Sequence, residues 1–135
     1  MAGTASTNSA PRASLPGLPG FKNPVFDTQR IFRRLMRTMS LPGTVITIDG
    51  IDLPAFEGVM PASAATLMAL ADRETAVWID GDLCPSGISD YLRFHTGAPA
   101  AKQRQEAVFA LIDSRSGASA FDGFNPGTDE YPDRS

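Results

Sequence analysis

The sequence predicts an α/β domain with a mainly parallel or mixed sheet flanked by helices. Short apolar or β-branched runs at 44–48, 75–79 and 107–112 alternate with segments whose apolar residues recur at helical spacing. The later two runs are largely apolar, as strands covered on both faces are. A length of 135 residues leaves room for one such core.

Residues 1–20 are mainly Ala, Gly, Ser, Thr and Pro. Such a stretch buries too little surface to offset its ordering entropy, so it is expected to be a disordered tail, with an α/β domain over 21–135. Leu18, Phe21, Val25 and Phe26 are candidate anchors at the domain entry. Asp27 is the expected N-cap of a helix that ends at Pro42-Gly43. Ile31, Phe32, Leu35, Met36 and Met39 make its apolar face, and Arg30, Arg33, Arg34 and Arg37 line the other side.

Thr44–Ile48 (TVITI) then reads as a first strand, closed by Asp49-Gly50. Ala62–Ala71 follows as a helix with Ala64, Leu67, Met68 and Ala71 on one face and Ser63 as its cap. Thr75–Ile79 (TAVWI) is the second strand. Ser86–His95 is a helix with Ile88, Tyr91, Leu92 and His95 along one side; Gly97 stands at its expected C-terminal stop and Pro99 follows. Ala107–Ile112 (AVFALI) is the third, buried strand. Sheets commonly have about 4–6 strands. Three would leave an edge uncovered, so the domain is expected to be incomplete at its carboxy-terminal end or completed by a partner. Asp129–Ser135 reads as the approach to a further strand.

The charge is unevenly divided. Residues 1–39 hold six bases against the single acid Asp27, a net +5, while residues 40–135 hold six bases and fourteen acids, a net −8. A basic segment on an acidic body suits self-pairing or docking to an acidic neighbour. The pI near 5.0 argues against a nucleic-acid partner. No apolar run approaches the roughly 20 residues of a membrane helix, and the start of the chain lacks the apolar core of a secretory signal. The lone Cys84 allows no internal disulfide, in keeping with a reducing, cytoplasmic setting.

Catalytic signatures are sparse. One His and one Cys cannot close a zinc site. No P-loop and no GxGxxG after a strand occurs. Neither Lys22 nor Lys102 follows an apolar strand, where a Schiff-base lysine is commonly presented. Asp72, Glu74, Asp80 and Asp82 flank the second strand but lack the spacing of a calcium loop. No metal and no cofactor is therefore expected. His95 is either a base or phosphate ligand beside Arg93, or a helix-terminal residue bound to carbonyls. Cys84 is either a nucleophile near a helix start or a semi-buried structural thiol. Trp78 reads as a core or interface anchor.

The arginines keep three readings: a solvated face, a contact for an acidic protein, or a phosphate site. Arg30–Arg34 and Arg33–Arg37 are like-charge i,i+4 pairs that each cost roughly 0.2–0.5 kcal/mol in an isolated helix. No acid stands at i,i+4 to relieve them.

The strings FRRLMRTMSLPGTV, LMALADRETAVWID and YLRFHTGAP, followed by AVFALID, resemble the PhnH family, the H subunit of the bacterial carbon–phosphorus lyase core complex. The resemblance covers about residues 24–113. It implies a fold like the large domain of pyridoxal-phosphate-dependent transferases, without the cofactor. It also implies homodimers that assemble with subunits G, I and J. With the L subunit, such assemblies support the displacement of adenine from ATP by methylphosphonate. The product is ribose 1-methylphosphonate 5-triphosphate, which the J subunit later cleaves. The family supplies no catalytic residue to carry over, and its members run longer than this chain.

Two functions are thus in play. The first is an accessory subunit that docks through Arg33, Arg34 and Arg37. The second is an independent enzyme that holds a nucleotide or phosphonate through Arg33, Arg37, Arg93 and His95. A pyridoxal-phosphate enzyme is a third, weaker reading.

Overall fold

The computed structural model describes residues 17–130. In chain order the elements are helix α1 (Pro24–Ser40), helix α2 (Pro61–Leu70), strand β1 (Val77–Ile79), helix α3 (Ile88–Thr96) and strand β2 (Phe109–Leu111). Short 3₁₀ turns lie at Gly81–Ser86, Arg104–Glu106 and Ala118–Phe121. β1 and β2 pair in parallel, Val77 against Phe109 and Ile79 against Leu111, with α3 in the crossover between them. This βαβ unit is the α/β architecture that the alternating pattern predicts.

The core lies between α2, α3 and the sheet. Leu67, Val77, Ile79, Leu83, Ile88, Tyr91 and Leu92 form one buried cluster, with Phe56 stacked at a tilt on Tyr91 at 4.9 Å. α1 packs on α2, which packs on α3. α3 ends where the sequence places its stop: Gly97 adopts φ +77°, and its N–H reaches the Arg93 carbonyl at 3.0 Å.

Several expectations are corrected. Thr44–Ile48 forms no strand. It lies beside α1, with Val45 open to solvent and Ile46 and Ile48 half-buried. β-branched residues favour a pleated surface only where a neighbouring strand offers a ladder, and here an arginine side chain takes that place. Among the described residues the sheet accordingly has two strands rather than three, with a parallel bridge from Val77 to Ala100 on the far side of β1. β2 is not buried throughout, since Ala110 is exposed.

Two caps also differ. α1 begins at Pro24 after Asn23, and Asp27 lies inside the helix, its carboxylate accepting the Asn23 N–H at 3.1 Å. α2 begins at Pro61 after Met60, with Ser63 inside it. In both helices a proline takes the first position, where its missing N–H costs nothing and its fixed φ is already helical. At the amino-terminal side, Leu18 packs against the core, whereas Val25 and Phe26 face solvent. Residues 131–135, part of the expected approach to a further strand, lie outside the described residues, as do residues 1–16 of the expected tail.

Candidate functional site

The arginine stripe divides in two. Arg30 donates to the Asp27 carboxylate at 3.2 Å and to the Gly50 carbonyl at 3.0 Å. Arg34 donates to the Thr47 carbonyl and, at 2.5 Å, to the Asp49 carboxylate. These two side chains strap residues 47–50 to α1. The Arg34 guanidinium holds the Asp49 carboxyl below its usual range. Arg33 and Arg37 are exposed, and their side chains make no hydrogen bond or ion pair among the described residues.

The apolar residues of α1 divide as well. Ile31 alone is fully buried. Val25, Phe32, Met36 and Met39 are 66%, 45%, 42% and 74% exposed. On a helix of 3.6 residues per turn they fall within about 60° of one another, with Arg33 about 60° beyond Met36 and Arg37 about 100° beyond it. The predicted apolar face thus divides: one part seats α1 on the body through Ile31, and the other is an open apolar stripe flanked on one side by the Arg33 guanidinium. Leu41, just past the end of the helix, is 49% exposed. Methionine side chains adapt to irregular partner surfaces, which is why they recur on docking faces.

His95 and Arg93 stand apart from this surface on α3. The His95 Nε2–H donates to the Leu18 carbonyl at 3.0 Å, which fixes the tautomer. Its ring lies 4.5 Å from Tyr91 and 5.0 Å from Phe94, and Gly20 backs onto Nδ1 so closely that a Cβ there would sit at 2.8 Å. Beside it the Tyr91 hydroxyl donates to the Pro19 carbonyl at 2.8 Å. Together the two side chains bolt residues 18–20 onto α3. His95 does bind a carbonyl, but not one of its own helix. Arg93 is exposed. No hydrogen bond or ring contact joins Arg33 or Arg37 to Arg93 or His95.

The carboxyl ends of parallel strands are where open α/β sheets commonly bind ligands. Here the chain's own side chains occupy that corner. Asp80, just past β1, accepts the Ser116 hydroxyl at 2.5 Å, which lowers its pKa. Asp113, past β2 and 7% exposed, accepts Arg115 through both carboxylate oxygens, and this lowers its carboxyl to about 2. Asp72 is taken up in a turn by the Glu74 N–H and the Thr75 hydroxyl. Among the described residues no cluster of three His, Cys, Asp or Glu could hold a metal ion.

Cys84 is exposed, not semi-buried, with its thiol 3.8 Å from the Ile79 carbonyl. Trp78 is half-buried; Phe124 meets its ring edge-on at 6.5 Å and the Arg104 guanidinium lies 5.7 Å above it. Sequence patterns alone do not reveal Asp49, Tyr91 and Ser116 as partners. Asp49 leaves the one usable signal, as an acid in a turn shortly after a run of arginines.

A βαβ body that closes its own strand ends and leaves a partly apolar face of α1 exposed is an α/β protein. The family model for bacterial phosphonate metabolism protein (PhnH) matches residues 19–135, and the chain belongs to that family. It is 36% identical over 115 residues to the alpha-D-ribose 1-methylphosphonate 5-triphosphate synthase subunit PhnH of Rhizobium meliloti (strain 1021). The match covers 85% of this chain and 57% of that relative.

Proposed function

We propose that this chain is an accessory subunit of a phosphonate-processing assembly. In it the chain supports formation of ribose 1-methylphosphonate 5-triphosphate from ATP and methylphosphonate, and contributes no reacting group of its own. The observation that carries the reading is the open face of α1, where Val25, Phe32, Met36 and Met39 are exposed, with Arg33 on one flank of the stripe and Arg37 further round the helix, neither paired among the described residues. An apolar stripe with a charged rim is the anatomy of a protein interface. The Rhizobium meliloti relative is by name a synthase subunit, and this supplies the assembly. Its partners in this reading are subunits G, I and J, together with a second copy of the chain, in the cytoplasm. Among the described residues no helix is long and apolar enough to cross a membrane.

The finer fold proposal is a cofactor-free version of the large domain of pyridoxal-phosphate-dependent transferases. The parallel β1–β2 pair and its α3 crossover support it. The rival reading, a phosphate or nucleotide site built by Arg33, Arg37, Arg93 and His95, draws no support from a histidine already bound to the Leu18 carbonyl.

The test is co-expression of the tagged chain with subunits G, I and J, followed by size exclusion and intact mass. A stoichiometric complex is expected. A chain that elutes alone while binding ATP or methylphosphonate tightly by calorimetry would replace the accessory reading with the enzymatic one.

A further inference from the structure

Strand β1 keeps one large side chain off the core. Val77 and Ile79 point into the buried cluster, and Trp78 between them alternates to the outer face. There it is half-buried under two side chains from later in the chain. One is Arg104, in the 3₁₀ turn Arg104–Glu106. A reciprocal cap fixes that turn: the Glu106 carboxylate accepts the Lys102 N–H at 3.1 Å and the Gln103 N–H at 3.4 Å. The other is Phe124. The Arg104 guanidinium carbon stands 5.7 Å from the Trp78 ring centre and 5.6 Å from that of Phe124. Both distances lie within the roughly 6 Å over which a ring face attracts a cation. The same guanidinium donates to the Asp122 carbonyl at 2.7 Å.

The chain that carries Asp122 and Phe124 is hinged at both ends. Residues 118–126 run between Gly117 and Gly127, which adopt φ +72° and +75°. Glycine takes either sign of φ at little cost, as a hinge position requires. Before Gly117 the chain is pinned, because the Ser116 hydroxyl donates to the Asp80 carboxylate and Arg115 holds Asp113. Beyond Gly117, Phe121 and Gly123 are exposed while Phe124 is half-buried at the clamp. The segment thus has a fixed root and a tip gripped by one cation.

We propose that residues 118–126 form a hinged flap over Trp78 and that Arg104 is its latch. With the guanidinium between the two rings the flap is closed. When the guanidinium leaves, the tip swings about the two glycines, Ser116 stays on Asp80, and Trp78 is bared to water. The latch needs a flat, delocalised cation. A guanidinium stacks on the ring faces and still reaches the Asp122 carbonyl, whereas a compact, strongly hydrated ammonium forgoes the stacking. None of these residues lies on α1, so the latch stands or falls apart from the accessory role.

Trp78 is the chain's single tryptophan, so its fluorescence reports the flap directly. Acrylamide quenching and site-resolved amide exchange are measured on the 135-residue chain. The Ala120 and Asp122 N–H groups, bonded to Gly117 and Ser119, report the flap, and the Ser116 N–H, bonded to Asp113, reports its root. Arg104→Ala is expected to raise quenching roughly twofold and to speed exchange at Ala120 and Asp122 about fivefold, with Ser116 as in the parent. Arg104→Lys keeps the charge and loses the stacking, so it should open the flap nearly as far. Phe124→Leu removes one wall of the clamp and leaves Arg104 in place; it should shift both readouts the same way. Parent-like quenching and exchange in Arg104→Ala and Phe124→Leu would overturn the latch. Full closure in Arg104→Lys would overturn the stacked guanidinium as its basis. Faster exchange that spreads to Ser116 and β2 would show general loosening and overturn the hinge.

Discussion

The Arg34 guanidinium stands 2.5 Å from the Asp49 carboxylate and also holds the Thr47 carbonyl. This pair turns a β-branched segment that would otherwise seek a strand partner into a strap on α1. It also divides the arginines by role. Arg30 and Arg34 hold the chain to itself, and Arg33 and Arg37 stay exposed.

Arg34→Ala is therefore expected to free residues 44–50. Limited proteolysis within that stretch should quicken several-fold, with little change in global unfolding, because exposed ion pairs contribute little to stability. Asp49 titrates below its usual value of 3.8, so the strap is intact above about pH 4 and loosens as the pH falls through the lowered folded value. Cleavage that is equally slow in the variant at neutral pH would show that the strap does not hold the segment.

A second expectation concerns the bolt at residues 18–20. Tyr91 is fully buried, and burial pushes its phenol above the usual 10.0. Tyr91→Phe leaves the Pro19 carbonyl unpaired and should cost about 1–2 kcal/mol in urea unfolding. His95→Ala should expose the same segment to protease while leaving ATP and phosphonate binding as it was. Loss of such binding in His95→Ala, with the fold intact, would restore the histidine to a ligand role.

Much of this fold is legible in the sequence because local patterns carry it. The α3 stripe of Ile88, Tyr91 and Leu92 and the Gly97 stop need no tertiary information. The Thr44–Ile48 run misleads because β-propensity records fitness for a ladder without saying whether a partner strand is present. The helix starts mislead because Pro24 and Pro61 fix the first turn more strongly than the nearby Asp27 and Ser63 recruit it. The division of the arginines is invisible, since Asp49 is fifteen residues from Arg34 in sequence and nothing in periodicity links them.

Asp113 offers a pH test. Hydrogen bonds from Arg115 hold its carboxyl at about 2, below the usual 3.8. A depressed folded pKa stabilises the fold above the unfolded value, and that contribution fades as the pH falls from about 4 toward 2. The urea midpoint of Asp113→Asn should lie below that of the parent at pH 6, and the gap should narrow by about pH 2.5. A gap that stays constant across that window would show that the carboxylate charge is not what Arg115 stabilises.

Gly97 tests the packing at the end of α3. It adopts φ +77°, and a Cβ there would fall 2.5 Å from Arg73 Cγ. Gly97→Ala should destabilise the domain by more than about 1 kcal/mol, because the left-handed conformation is strained for any residue with a Cβ. Neutrality in thermal unfolding would indicate that the chain leaves α3 by another path.

The most direct test of docking through α1 compares Arg33→Glu/Arg37→Glu with Arg34→Ala in co-purification with subunits G, I and J. Both variants should keep the far-UV circular dichroism of the parent. If the outward face of α1 is the docking surface, the double variant is lost from the complex while Arg34→Ala is retained. Retention of the double variant at full stoichiometry would contradict it and assign the outward arginines of α1 to solvent.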